Sequence, residues 1–237
     1  MKNIELIRKL EKYPVFGLKT VRDIIEKDEN YTKLVMHRLK KNKLILEIEK
    51  NKYTLNRDPI IVASNIIWPC YISIWSALRY HNLTEQLPHF IFVITTRTRK
   101  KREINLGSTK ILFIKIKPKY FFGYKREKYL NFDIFVAEKE KALIDSALFK
   151  KISFSEISDI LRDNIKNIDI DLFINYLIKI RNKTLIKRFG FLLDNLGIDK
   201  NKILKKFIDF KYVPLDYALT VKGKKNEKWR IINNVKL

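Results

Sequence analysis

Cysteine, glycine and histidine are scarce in this sequence, and their scarcity excludes several classes of protein. A single cysteine, Cys70, among 237 residues rules out a disulfide within the chain and a zinc site built from cysteines. The three histidines are scattered and form neither HxxxH nor HExxH spacing, so we expect no metal ion and no cofactor. None of the six glycines stands in GxGxxG or GxxxxGK[ST] spacing, which excludes the usual phosphate-binding loops.

Acidic residues are few compared with basic ones. The chain has 26 Asp and Glu against 50 Lys and Arg, a formal charge of +24 and a pI of about 9.9. The excess is +6 over residues 1–58, +9 over 59–150 and +9 over 151–237, so it is not confined to a basic tail. This distribution favours a polyanionic partner, most simply nucleic acid, without indicating which face binds. A proteome rich in lysine and isoleucine would give the same pI for unrelated reasons.

The sequence offers little support for a membrane segment. Residues 59–78 carry no charge over about the length of a membrane span. However, Asn65 and Pro69 lie near the centre of this stretch, and three serines interrupt it. We predict a linker or short strand, a break at Pro69 and a buried helix over 71–80. The N-terminus lacks the apolar core of a signal peptide, and we expect a soluble, cytoplasmic protein with no membrane partner.

Residues 20–55 have the pattern of a winged helix-turn-helix. Thr20 is the predicted cap of one short helix, and Asn30 is the predicted N-cap of a second, strongly basic helix. On the second helix a buried stripe is predicted at the spacing i, i+3, i+4 and i+7, formed by Thr32, Val35, Met36 and Leu39. A hairpin should follow, because residues 44–49 begin to alternate between apolar and polar side chains before the Lys50-Asn51-Lys52 turn.

This pattern favours DNA binding, since a helix fits the major groove and lysines on the helix and hairpin neutralise phosphates. We expect Lys33 and His37 to lie nearest the bases. The predicted DNA-binding residues are Lys19, Lys33, His37, Arg38, Lys40, Lys41, Lys50, Asn51 and Lys52. Two alternatives stay open: a small helical domain with a solvated basic face, and a winged helix that contacts only proteins.

The rest of the chain predicts an α+β protein in which a winged helix-turn-helix is followed by a mixed α/β domain and a helical C-terminal part. The predicted domains are residues 1–58, 59–150 and 151–237, with the last two packed as one domain. Phe90–Ile94 reads as a central strand. The basic loop after this strand, containing Arg97, Arg99, Lys100, Lys101 and Arg102, is either a solvated hairpin loop or a second nucleic-acid patch.

Glu138, Glu140 and Asp145 fall in one predicted helix over 137–149, which raises the question of catalysis. The apolar positions of this helix are taken by Ala142 to Ile144, so we interpret Glu140 and its neighbour Lys141 as surface charges. Asp145 would bond a neighbouring loop or cap. No catalytic residues are predicted, and the chain is not expected to be an enzyme. An enzyme with an unrecognised site in the middle domain is the weakest alternative.

Several stretches together resemble one protein family. They are YISIWSALRYHNLTEQ (71–86), FVITTR (92–97), KYFFGY (119–124), VAEKEKALIDSAL (136–148) and KRFGFLLDNLG (187–197). Their order and spacing are similar to those of the AbiEi antitoxins of type IV toxin–antitoxin, or abortive infection, systems. The resemblance covers nearly the whole chain, and this chain departs from many relatives in its lysine content and lysine-rich C-terminal end.

The resemblance implies an antiviral-defence regulator. An N-terminal winged helix would bind inverted repeats in double-stranded DNA upstream of its own operon and act as a repressor. The larger C-terminal domain would be the antitoxin, opposing a nucleotidyltransferase-like toxin without a stable complex. An RNA-binding protein that uses its basic middle and C-terminal domains is the alternative function.

Overall fold

A computed structural model of the chain describes residues 3–86, 89–199 and 201–235. Helices and several sheets make this a mixed α+β protein, which confirms the fold class at that level. The residues form two compact units, each assembled from segments distant in sequence. The first unit comprises residues up to 72 together with 89–116 and 126–136; the second comprises 73–86, 117–125 and the residues after 136. The predicted domain boundaries at residues 58 and 150 remain predictions.

The N-terminal part of the first unit contains three helices and a hairpin. They are α1 (Asn3–Leu10), α2 (Leu18–Ile25), α3 (Glu29–Lys41), β1 (Leu46–Glu49) and β2 (Lys52–Thr54), with β1 antiparallel to β2. Phe16, between α1 and α2, exchanges two backbone hydrogen bonds with Tyr53 and so joins that connection to the hairpin. A compact core unites these elements: Leu6, Leu10, Phe16, Val21, Met36, Leu39 and Ile45. Burying a side chain of this size contributes about 1.5–3 kcal/mol.

Both predicted helix caps are wrong, although the helices themselves are confirmed. Helix α2 begins after Gly17, which places Thr20 inside the helix. Helix α3 is capped by Asp28, whose carboxylate accepts a hydrogen bond of 2.9 Å from the backbone N–H of Tyr31. A carboxylate at this position also interacts favourably with the helix dipole, an advantage that the neutral side chain of Asn30 lacks.

A six-stranded sheet belongs mainly to the first unit. Its strands are β3 (Cys70–Ser73), β4 (Phe90–Thr95), β5 (Glu103–Leu106), β6 (Thr109–Lys115), β7 (Tyr124–Tyr129) and β8 (Phe132–Ala137). They lie in the order β5-β6-β4-β3-β8-β7, with β4 parallel to β6 and β5 antiparallel to β6. Residues 91–95 of β4 are all buried, as expected of a central parallel strand. The basic loop of residues 96–102 connects β4 to β5.

The uncharged stretch of residues 59–78 differs from its prediction. Its first part forms the helix α4 (Pro59–Asn65), not a linker or strand, and its middle forms β3. The predicted helix over 71–80 is confirmed only for α5 (Trp75–Tyr80). In a short run of apolar residues, the hydrophobic periodicity cannot distinguish a fully buried strand from a buried helix. Among the described residues, no helix is long and apolar enough to cross a membrane.

The second unit is mainly helical. Besides α5 it contains α6 (Lys139–Leu148), α7 (Phe154–Asp163), α8 (Ile170–Ile180), α9 (Lys183–Asn195) and α10 (Asn201–Leu204). A small sheet of β9 (Val213–Pro214), β10 (Lys224–Asn226) and β11 (Ile231–Asn233) follows, in the order β10-β11-β9. The rings of Phe154 and Phe173 meet Phe189 edge-on at 5.1 and 5.0 Å. Helix α10 continues into one 3₁₀ turn, Lys205–Phe207.

Candidate nucleic-acid interface

Helix α3 has one buried side and one exposed side. Thr32, Met36 and Leu39 are buried, which confirms most of the predicted stripe. A set of exposed residues lies on the opposite side, and we call it the outer face of α3: Asn30, Leu34, His37, Arg38 and Lys41. Only His37, Arg38 and Lys41 of this set were predicted to bind DNA, although the helical period places Asn30 and Leu34 on the same side. Leu34 retains 44% of its surface, so an apolar contact is available beside the polar groups.

Two of the predicted contacts on α3 are already engaged in ion pairs. Lys33 lies 2.6 Å from the carboxylate of Glu29, one turn earlier, and Lys40 pairs with Glu47 on β1. The hydrogen bond from Lys33 lowers the pKa of Glu29, and the hydrogen bond to Glu47 raises the pKa of Lys40. Because these ammonium groups are exposed, a phosphate could replace the carboxylate at small cost.

The hairpin carries one exposed basic tip and one engaged lysine. Lys50 and Asn51 are exposed at the turn, where Asn51 adopts a left-handed conformation (φ 60°). Lys52, in contrast, lies 3.2 Å from the Glu49 carboxylate and donates a hydrogen bond of 2.9 Å to the carbonyl of Ile66. Lys52 therefore attaches the hairpin to the segment after α4. Lys19 is exposed near the start of α2.

The basic loop of residues 96–102 contains residues in different environments. Arg97 is exposed, and its Nε donates to the carbonyl of Trp68 at 3.3 Å. Arg99 is different: its side chain is only 8% exposed, its guanidinium lies 2.6 Å from Glu49, and it covers the Phe113 ring at 3.9 Å. Arg99 therefore anchors the loop and offers little to a ligand. The remaining basic residues of the loop, Lys100, Lys101 and Arg102, are exposed.

Glu49 connects the hairpin to the basic loop. Its two carboxylate oxygens bind Lys52 of the hairpin and Arg99 of the loop. The two groups predicted separately from sequence therefore share one carboxylate and lie side by side in the first unit. We call their exposed members the hairpin–loop surface: Lys50, Asn51, Arg97, Lys100, Lys101 and Arg102. Five of these six side chains are cationic, so the surface suits a phosphate backbone.

The charges on α6 correct the sequence interpretation. Glu140 and Lys141 are buried, at 5% and 0% exposure, and are not surface charges. Lys141 forms an ion pair with Asp145, which is also fully buried. The hydroxyl of Ser73 donates to the second oxygen of Asp145 at 2.9 Å. Because Ser73 ends the strand β3, the predicted bond from Asp145 to a neighbouring loop or cap is instead a bond to a strand and to Lys141 of the same helix.

The outer part of this charge network links α6 to its neighbours. Glu140 accepts a hydrogen bond of 2.9 Å from the backbone N–H of Asp169 before α8. Glu138 accepts one from the Tyr176 hydroxyl and lies 2.9 Å from Lys125. Burial and the bond to Glu138 raise the pKa of Tyr176. Burial opposes ionisation of Glu138, but the hydrogen bonds from Lys125 and Tyr176 lower its pKa overall. The carboxylates thus hold helices together within the second unit.

Comparison with models of protein families and with curated proteins finds no match to this chain. The similarity to AbiEi antitoxins therefore remains a prediction from the sequence. The exposed outer face of α3 and the hairpin–loop surface are the physical basis on which a function can be proposed. Both lie in the first unit and both carry an excess of cations.

Proposed function

We propose that this protein is a DNA-binding transcriptional regulator whose N-terminal part is a winged helix-turn-helix. The observation that carries the proposal is the outer face of α3, an exposed helix surface followed four residues later by a hairpin with an exposed basic tip. The order of α1, the Phe16 bridge, α2, α3 and the hairpin supports it, as does the three-residue turn between α2 and α3. Such a unit places its second helix in the major groove.

The two surfaces would contribute differently to binding. On α3, Asn30 and His37 offer groups that can hydrogen bond to base edges, and Leu34 offers an apolar contact for a thymine methyl group. On the hairpin, Lys50 would bind phosphate and fix the position of the protein without reading sequence. Arg38 and Lys41 lie along the same exposed side of the helix and would contact the flanking backbone.

The wider biological role rests on the resemblance of motifs. We propose a repressor and antitoxin of a type IV toxin–antitoxin system, which binds inverted repeats upstream of its own operon. Its functional partner would be a nucleotidyltransferase-like toxin, with no stable complex required. We assign no catalytic step to the chain, and the closed network around Lys141 and Asp145 supports a structural role for α6.

The test is the affinity of the full chain for double-stranded DNA from immediately upstream of its own gene. A shuffled duplex of the same composition is the control, and both are titrated over a salt series because charge alone binds any polyanion. We expect a preference of about a hundredfold or more for the upstream duplex, a threshold set below the ratio of about a thousand or more that is usual for specific recognition. Equal affinity for the two duplexes at every salt concentration would refute sequence-specific regulation.

The even spread of positive charge favours RNA binding as the second candidate function. Residues 59–150 and 151–237 each carry a net charge of +9, outside the proposed DNA-reading helix. A folded RNA hairpin would then bind the wild-type chain and an outer-face variant, His37→Ala/Lys41→Ala, with equal affinity. An RNA affinity that falls in this variant as strongly as the DNA affinity would exclude a separate RNA site.

A further inference from the structure

Trp68 is the tryptophan of this chain that the fold leaves exposed. It retains 60% of its surface, whereas Trp229 is buried at 1% and Trp75 is half-buried. An isolated exposed apolar residue needs no explanation, but its surroundings decide whether it has a use. Trp68 lies in the connection between α4 and β3. It was not among the DNA-binding residues predicted from the sequence.

The connection that carries Trp68 is held from two sides by basic residues. On one side, Lys52 of the hairpin donates to the carbonyl of Ile66 at 2.9 Å. On the other side, Arg97 of the basic loop donates to the carbonyl of Trp68 itself at 3.3 Å. The segment that carries the indole is therefore tied to the hairpin by Lys52 and to the hairpin–loop surface by Arg97.

The indole is also fixed in place. Its ring packs on Phe135 of β8, with centroids 4.8 Å apart and ring planes inclined by 58°. The strand beneath is held by the hydroxyl of Ser64, which accepts the backbone N–H of Phe135 at 2.7 Å. Thr95 donates to the carbonyl of Pro69 at 2.7 Å and secures the next residue. A flat, exposed ring that is supported from below and carried by a segment bonded to Arg97 loses little entropy when it stacks.

We propose that Trp68 stacks on an unpaired base of a nucleic acid whose phosphates cross the hairpin–loop surface. This inference deepens the proposed function, on which its phosphate contacts rest. Aromatic rings in a positive groove bind single strands because every base has an accessible π-face. Bases inside a duplex are already stacked on both sides, so an indole on the surface reaches only an unpaired or extruded base. The charge around Trp68 favours a polyanion over an apolar protein partner.

The experiment compares the wild-type full chain with Trp68→Ala and Trp68→Phe. The probes are labelled oligothymidylate and oligouridylate of about 12 nucleotides, within the site sizes of single-strand binders, and the upstream duplex. Phe210→Ala is the matched control, because Phe210 is an aromatic residue of the second unit with 85% exposure. Thermal unfolding of every variant shows whether the fold survives the substitution.

We expect Trp68→Ala to weaken single-strand binding about tenfold or more and Trp68→Phe to retain most of it, since a ring remains to stack. Duplex affinity should change by less than about twofold, because phosphate contacts dominate it. Single strands should also quench the wild-type indole emission, and this quenching should disappear in Trp68→Phe. A larger effect with oligothymidylate would identify single-stranded DNA as the ligand, and a larger effect with oligouridylate would identify RNA.

Unchanged single-strand affinity in a folded Trp68→Ala variant would overturn the stacking role. Equal losses in Trp68→Ala and in the Phe210→Ala control would overturn it as well. These results are independent of the duplex preference of the wild-type chain. A chain that fails to prefer its upstream duplex loses the regulator function, while the single-strand data still decide the role of Trp68.

Discussion

At the scale of residues, the buried ion pair Lys141–Asp145 is the feature on which we expect the stability of the fold to depend most. Both side chains are fully buried, and Ser73 supplies a further hydrogen bond to the carboxylate from 72 residues earlier in the sequence. Replacing Lys141 with methionine would leave a buried carboxylate without its cation. We expect Lys141→Met to lower the free energy of unfolding by about 3–5 kcal/mol, measured by urea denaturation. Lys166→Met, at an exposed lysine of the second unit, is the control, and equal small losses in both variants would contradict the prediction.

Cys70 is a buried thiol with little capacity to ionise. It is 0% exposed, and burial raises its pKa to about 12. Only the thiolate reacts readily with alkylating reagents, so both access and ionisation protect this residue. We expect no labelling by iodoacetamide near pH 8 in the folded protein and complete labelling in denaturant, followed by mass spectrometry. Rapid labelling without denaturant would contradict the burial of this thiol in β3.

Asp209 should make the stability of the second unit sensitive to acid. Its hydrogen bond from the buried Lys187 holds its pKa at about 2, below the ordinary value near 3.9. A lowered folded-state pKa contributes stability above about pH 4, and this contribution disappears as the pH falls towards 2. The difference in unfolding free energy between wild type and Asp209→Asn should therefore shrink from pH 5 to pH 2. A difference that stays constant over this pH range would refute the pairing of Asp209 with Lys187. Asp163→Asn, at an exposed carboxylate, is the control.

At the scale of elements, the sequence predicts best where the pattern is local. Helix α3 follows from the spacing of its buried residues, and the hairpin follows from the alternation in residues 44–49. The predicted turn is one residue too long, because Lys52 already belongs to β2. The strand β3 does not, because four consecutive buried residues fit a helix as well as a strand. The burial of Lys141 cannot be predicted from the neighbouring sequence either, since it depends on how α6 packs within the second unit.

The sequence predicted the exposed residues of the candidate site, but it did not predict which basic residues form ion pairs with distant carboxylates. His37, Arg38 and Lys41 are exposed as a helical period requires. Arg99 is anchored by Glu49, which lies 50 residues away, and no local signal reveals such a partner. Trp68 was not predicted as a site residue, because an aromatic residue within an apolar run is typical of a buried core position.

The hairpin separates two lysines that look alike in sequence. Lys50 is exposed at the turn, whereas Lys52 is held by Glu49 and the carbonyl of Ile66. We expect Lys50→Ala to lower the slope of log affinity against log salt by about one unit. Lys52→Ala should change that slope less and instead reduce thermal stability. Identical salt slopes for Lys50→Ala and the wild-type chain would remove the hairpin tip from the interface.

At the scale of the whole molecule, a charge of +24 dominates the behaviour towards any polyanion. Long-range attraction accelerates encounter and supports non-specific binding that falls steeply with salt. Affinity alone therefore says little about function in this protein. Only the ratio of affinities for two duplexes of equal length and composition isolates what the outer face of α3 contributes.

The most direct measurement of the central claim is that ratio in the wild-type chain and in His37→Ala/Lys41→Ala. Both proteins are titrated at one salt concentration with the upstream and the shuffled duplex, after thermal unfolding shows that the variant is folded. We expect a ratio of about a hundred or more for wild type and a fall to within about tenfold of unity in the variant. A ratio near one for the wild-type chain, or an unchanged high ratio in the variant, would contradict sequence reading by the outer face of α3.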